Sequence, residues 1–77
     1  MKGFVLVNTR TGEVREVVRN LRRLKGVLSA HATFGPYDAV ATVEAESVRA
    51  LGDLVTAEIQ PIPGVEETLT CLAVDEG

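Results

Sequence analysis

The chain of 77 residues contains one cysteine, one histidine, one tyrosine, two phenylalanines and no tryptophan. Each scarcity closes a route. Cys71 alone forms no disulfide within the chain, and with His31 as the only imidazole a zinc pattern of the Cys/His type has too few ligands. Long hydrophobic runs are missing too. The apolar stretch Phe4 to Val7 is too short for a signal h-region or a membrane span, which makes a cytoplasmic protein the default expectation. Positive charge is also in deficit, with a net charge of −3, and this argues against nucleic acid as a direct partner, since phosphate contacts need clustered cations. The cations are nevertheless uneven: Arg10, Arg15, Arg19, Arg22, Arg23 and Lys25 lie in the first third, and only Arg49 follows them.

A chain this short is expected to be one domain over residues 1–77, burying only about 60% of its unfolded surface. Small domains lean on disulfides, metals or partners. With the first two poorly supplied, partners remain.

Lys2 to Asn8 reads as a strand running into the turn-like "NTRTG". Val14, Val17, Val18, Leu21 and Leu24 then form the stripe of an amphipathic helix, with Thr11 as its expected cap and Gly26 as its left-handed exit. Val27 to Phe34 and Tyr37 to Ala45 read as a β-hairpin around Gly35-Pro36. Ser47 caps a second helix with the stripe Val48, Leu51, Leu54, Val55 and Ile59, closed by Pro61 and Pro63. Val65 to Val74 reads as a fourth strand before a short acidic tail.

The order βαββαβ contains an internal repeat. Gly26 and Gly64 stand 38 positions apart, and the same offset matches Val5 with Val43, Val17 with Val55, Leu21 with Ile59, Leu24 with Ile62 and Val27 with Val65. Two βαβ units of this kind predict an α+β, ferredoxin-like fold, a four-stranded antiparallel sheet with both helices on one face. The strands are apolar on both faces, however. If Phe4 and Leu6 faced water, each would forgo roughly 1.5 to 3 kcal/mol of burial, so the open face is expected to pack on another copy as a sheet-to-sheet homodimer.

Catalytic chemistry has little to work with. Cys71, in "LTCLAV", reads as a small buried hydrophobe, and His31, in "SAHATF", as a strand or interface residue. No tight carboxylate pair offers general acid-base catalysis, and "NTRTGEV" is far from a phosphate-cradling loop. The arginines of the first helix interleave with its apolar stripe and read as a solvated face able to pair with an acidic neighbouring subunit. No catalytic residue, metal or cofactor is expected.

The turn "GPYD" differs in kind. Gly35 and Pro36 suffice as a hairpin corner, but Asp38 places a charged acceptor at the opening of an apolar strand, where it suits an amine or a backbone amide. Thr68 and Thr70, two apart on the last strand, send both hydroxyls to one face in line with Glu66 and Leu72. β-Propensity alone explains threonines there. Hydroxyl donors with a carboxylate acceptor also suit a small zwitterion.

Taken in order, "FVLVNT", "LKGV", "HATFGPYDAVATVEA" and "IQPIPGVEETLTCLAV" resemble the ligand-binding RAM domain (regulation of amino acid metabolism) of the leucine-responsive regulator/asparagine regulator family. That family consists of bacterial and archaeal transcription factors, and the likeness covers essentially the whole chain. Gly-x-Tyr-Asp at Gly35, Tyr37 and Asp38, and Thr68 and Thr70 after Pro-Gly-Val, are its most specific parts. The resemblance implies a dimeric α+β barrel assembling further into octamers or rings. It also implies amino acids bound between subunits by the loop Gly35, Pro36, Tyr37 and Asp38 and by Thr68 and Thr70. In a strand order of 4-1-3-2 the third and fourth strands are not neighbours, which favours a site completed across an interface.

The family's regulators carry an N-terminal helix-turn-helix, and this sequence begins directly in its first strand, so a stand-alone module without the DNA-reading element is expected. The leading expectation is a non-catalytic amino-acid-binding and oligomerisation module, acting through partners such as a full-length family regulator, without contact to nucleic acid or membrane. Two rivals stand beside it. One is a purely structural assembly protein, and the other is a small enzyme of the dimeric α+β barrel shape, supported by fold analogy alone.

Overall fold

The computed structural model describes residues 1–75; of the expected acidic tail, Glu76 and Gly77 lie outside the described residues. Strand β1 (Lys2–Thr9) leads into helix α1 (Val14–Leu21), followed by β2 (Val27–Ala32) and β3 (Ala39–Glu44). Helix α2 (Val48–Asp53) continues into a π-helical segment (Leu54–Ile59), and β4 (Val65–Leu72) completes a four-stranded sheet of order β2-β3-β1-β4. All three pairings are antiparallel, which is the ferredoxin-like arrangement.

Strand alternation fixes what each face carries. Gly3, Val5 and Val7 of β1 and Ala39, Ala41 and Val43 of β3 point to the helices and are buried, meeting Val17 and Leu21 of α1 and Leu51, Val55 and Ile59 of the second helical arm. The opposite face has no helix over it. Its rows follow from the pairing: His31, Val40, Leu6 and Leu69 run across all four strands, with Thr42, Phe4 and Cys71 in the next row. Phe4 remains 40% exposed and Leu69 48%.

The helix ends differ from expectation in one case and match it in the other. Thr11 does not cap α1, because the helix begins only at Val14 and Glu13 occupies the cap position without a side-chain bond. Ser47 caps α2 as expected, in an extended conformation with its hydroxyl accepting from the Ala50 amide at 3.1 Å. Beyond α1, Leu24 lies in a tightened turn whose amide donates to the Leu21 carbonyl at 3.1 Å.

The internal repeat is real at its second end and shifted at its first. The Leu24 and Ile62 amides donate to the Leu21 and Ile59 carbonyls, the Val27 and Val65 amides to the Leu24 and Ile62 carbonyls, and Gly26 and Gly64 have φ of +100° and +97°. All these pairs are 38 apart. In the leading strands the offset is 34, because Val27 pairs with Val43 of β3 while Val65 pairs with Thr9 of β1. Val5 is therefore equivalent to Ala39 rather than to Val43. Both offsets are even, so either preserves which side chains face the helices. The four extra residues lie in the second helical arm, Val48–Ile59 against Val14–Leu21. There the Gln60 amide reaches five residues back to the Val55 carbonyl at 2.8 Å, where Arg22 reaches only four back to Val18.

Candidate ligand-binding site

The central hairpin is wider than a Gly-Pro corner requires, since β2 ends at Ala32 and β3 starts at Ala39. Six residues bridge the gap. The Thr33 amide donates to the Asp38 carbonyl at 2.9 Å and its hydroxyl to the Tyr37 carbonyl at 2.7 Å, closing the loop at its base. Gly35, at φ +152°, has open space where a Cβ would stand, and Pro36 beside it is exposed. Phe34 projects wholly into solvent, and Tyr37 is half-buried.

Asp38 finds a partner within its own chain. Its Oδ2 accepts from the Thr9 backbone amide at 2.8 Å and from the Thr9 hydroxyl at 3.4 Å, while its own amide donates to the Val7 carbonyl at 2.9 Å. The carboxylate thus ties the hairpin loop to the end of β1 with a charge-assisted bond. The backbone amide expected for Asp38 is supplied by Thr9, a residue with no recognisable signal in the sequence, because only the β1–β3 pairing brings the two together.

Thr68 and Thr70 stand opposite Val7 and Val5 of β1, whose side chains face the helices, so both threonines belong to that side of the sheet. They sit on an edge strand beyond the helices' cover, Thr68 half-buried and Thr70 exposed. Glu66 does not extend their line, because the β1–β4 pairing shifts register between Asn8 and Thr9 and leaves Glu66 without a partner in the ladder. Ala39, Val7 and Thr68 form one row across the sheet. Asp38, next to Ala39, therefore approaches Thr68 to about two strand spacings, roughly 10 Å at the backbone. The loop and the threonine pair thus share one end of the sheet, with β1 between them.

Gln60 is a second residue that the sequence did not single out. Its Nε2 donates to the Thr68 Oγ1 at 3.1 Å, and the two line a shallow cleft of about 380 Å³ with Val65, Glu66 and Glu67. Its placement depends on the π-helical segment, which amphipathic spacing does not reveal.

Cys71, expected to be buried, is exposed: it pairs with Phe4 on the uncovered face of an edge strand. His31 is likewise exposed, opposite Val40. Among the described residues no three His, Cys, Asp or Glu side chains cluster to hold a metal ion, and no helix is long and apolar enough to cross a membrane. The cations of α1 are at the surface, Arg19 paired with Glu16 at 2.8 Å.

Comparisons with known proteins agree with this architecture. Residues 2–76 match the model of the Lrp/AsnC ligand binding domain. The HTH-type transcriptional regulator FL11 of Pyrococcus horikoshii is 31% identical over 74 residues, covering 96% of this chain and 48% of FL11. The chain thus spans about half the length of the curated relatives it matches. Among solved structures, TTHA0845 from Thermus thermophilus superposes with a TM-score of 0.90 at 36% identity, covering 96% of this chain and 92% of that one. The transcriptional regulator NMB0573 of Neisseria meningitidis, solved as a complex with L-Met, gives a TM-score of 0.86 at 22% identity over 97% of this chain and 50% of its own. On its fold, its internal repeat and this family match, the chain belongs to the family of Lrp/AsnC ligand-binding domains.

Proposed function

We propose that residues 1–77 act as one non-catalytic unit that binds an amino acid and assembles with further copies. The observation that carries this reading is the convergence of Asp38 and Thr68 on one end of the sheet, an anionic acceptor and a hydroxyl on either side of β1. A zwitterion needs both kinds of group. Gly35, Pro36 and Tyr37 shape the loop wall, and Thr70 extends the row of hydroxyls. The uncovered face with Phe4, Leu6, Val40 and Leu69 supports a sheet-to-sheet homodimer, and edges left free by that dimer allow octamers or rings. That NMB0573 was solved with L-Met supports an amino acid as the ligand class. Regulation would then pass through partners, a full-length family regulator among them, by a difference in ligand affinity between assembly states.

Calorimetry with the common L-amino acids, at a concentration where light scattering shows the oligomer intact, tests the reading. Asp38→Asn is the informative variant, because it keeps an acceptor for the Thr9 amide and removes only the charge that an ammonium group would meet. Binding by the wild type and its loss in Asp38→Asn are expected. Absence of binding with an intact oligomer leaves a purely structural assembly protein in its place.

A further inference from the structure

The two halves of the chain carry opposite charge. Residues 1–38 hold seven of the eight cations and three acids, so the net charge of −3 comes wholly from the second half. Four of those cations share one flank of a helix: Arg15, Arg19, Arg22 and Arg23 stand at i, i+4, i+7 and i+8 along α1 and the turn that follows it. Together they rim a groove of about 510 Å³ between α1 and the end of β2, lined further by Val14, Val18 and Ala32. A groove of this size accommodates a small molecule. It lies at the β2 edge of the sheet, opposite the β4 edge that carries Thr68 and Thr70, and shares no residue with the amino-acid site proposed above.

Two ordinary causes of surface arginine do not account for the row. The helix dipole favours cations near a C-terminus, which suits Arg22 and Arg23, but Arg15 is the second residue of α1, where the dipole disfavours it. Pairing with nearby acids accounts for Arg19, held by Glu16 at 2.8 Å, whereas Arg15, Arg22 and Arg23 have no acidic partner among the described residues. Like charges three and four positions apart on a helix repel, so the row weakens its own helix until an anion neutralises it.

Arg22 gives the row a fixed point. Its Nε donates to the Ala30 carbonyl at 2.9 Å, which holds the guanidinium at the strand edge. The four N–H groups on its terminal nitrogens have no acceptor among the described residues, and a planar fork held in this way suits two oxygens of one oxyanion. Arg22 also borders the adjoining cleft with Ser29 and His31, so further donors continue along β2. From Arg15 to Arg22 the row covers roughly 11 Å of helix axis, room for a chain of phosphates and not only for one.

We infer that this groove is a second ligand site, for a polyphosphate chain, with Arg22 gripping one phosphate and Arg15, Arg19 and Arg23 the others. The chain is either inorganic or the tail of a nucleotide.

The test is calorimetry on the full chain at low ionic strength with orthophosphate, pyrophosphate, tripolyphosphate and ATP, in the wild type, Arg22→Lys, Arg15→Glu and Arg49→Glu. Affinity should rise with each added phosphate. Arg22→Lys keeps the charge and loses the fork, and is expected to weaken tripolyphosphate about tenfold. Arg15→Glu, at an exposed position, should weaken it further while melting no lower than the wild type, since a carboxylate suits the first turn of a helix. Arg49→Glu makes the same change of net charge on α2, away from the groove, and should leave affinity within about twofold. ATP binding tighter than tripolyphosphate identifies a nucleotide as the source of the chain; equal or weaker binding identifies the inorganic form. Equal losses in Arg15→Glu and Arg49→Glu, or wild-type affinity in Arg22→Lys, overturns the inference, because unspecific attraction then explains the binding. Absence of tripolyphosphate binding overturns it as well and leaves the arginines to an acidic neighbouring subunit. Amino-acid binding stands or falls separately.

Discussion

The two faces of the sheet are built from the same kinds of residue and meet opposite fates. On the helix side Val5, Val7, Ala41 and Val43 are fully excluded from water beneath the single layer formed by the two helical arms. On the other side Phe4, Val40 and Leu69, their immediate chain neighbours or strand partners, stay partly exposed, with no helix over them among the described residues. A domain of this size has too few residues to cover both faces, so stability is concentrated in one and the other is available for association. The polar site residues follow the same division, with Thr68 and Thr70 on the helix side and the loop of Asp38 at the sheet's end.

This contrast is open to direct attack, and the largest effect is expected in the packed layer. Leu21→Ala removes a fully buried side chain and should cost about 3 kcal/mol in urea unfolding. A loss under about 1 kcal/mol would mean the helix layer is not the stability centre. Gly64→Ala comes next at about 2 kcal/mol. Its φ of +97° resists a side chain, and the new Cβ would stand 3.0 Å from the Val17 Cγ2 and 2.8 Å from the Glu13 Oε1. Thermal melting of Gly64→Ala beside Gly12→Ala, where the backbone is similar but the space is open, separates backbone strain from crowding.

Asp38→Ala strips the partner from the Thr9 amide and is expected to cost about 1.5 kcal/mol, whereas Asp38→Asn should stay close to wild type in stability. Equal losses in both variants would show that charge, and not the acceptor, holds the loop. The smallest effect on the protomer is expected at Leu69→Glu, within about 0.5 kcal/mol, because the side chain is already half in water. Light scattering should nevertheless show that variant dissociating. An assembly unchanged by a carboxylate on the uncovered face, opposite Leu6, would break the contrast between the two faces.

Much of the fold is legible because periodicity is a local property. The stripe of α1, the Ser47 cap and the positive-φ glycines Gly26 and Gly64 could each be read from neighbouring residues. The repeat was legible too, although its offset was read as constant. An extra helical turn of four residues keeps the strand faces in phase, so the hydrophobic pattern carries no mark of where the insertion lies. Cys71 shows the opposite limit. An apolar neighbourhood in sequence does not say whether a strand lies in the middle of a sheet or at its edge, and at the edge the residue is exposed.

The sequence by itself determined the order of elements, the two-sided apolar character of the sheet and the candidate loop and threonines, since all depend on residue type and short spacing. The tertiary structure decided which groups meet. Asp38 and Thr9 are 29 positions apart and Gln60 and Thr68 are 8 apart, and each contact exists only because strand pairing or a widened helical turn brings the chain back on itself. Hydrogen bonds act over about 3 Å, a scale that local sequence patterns do not encode.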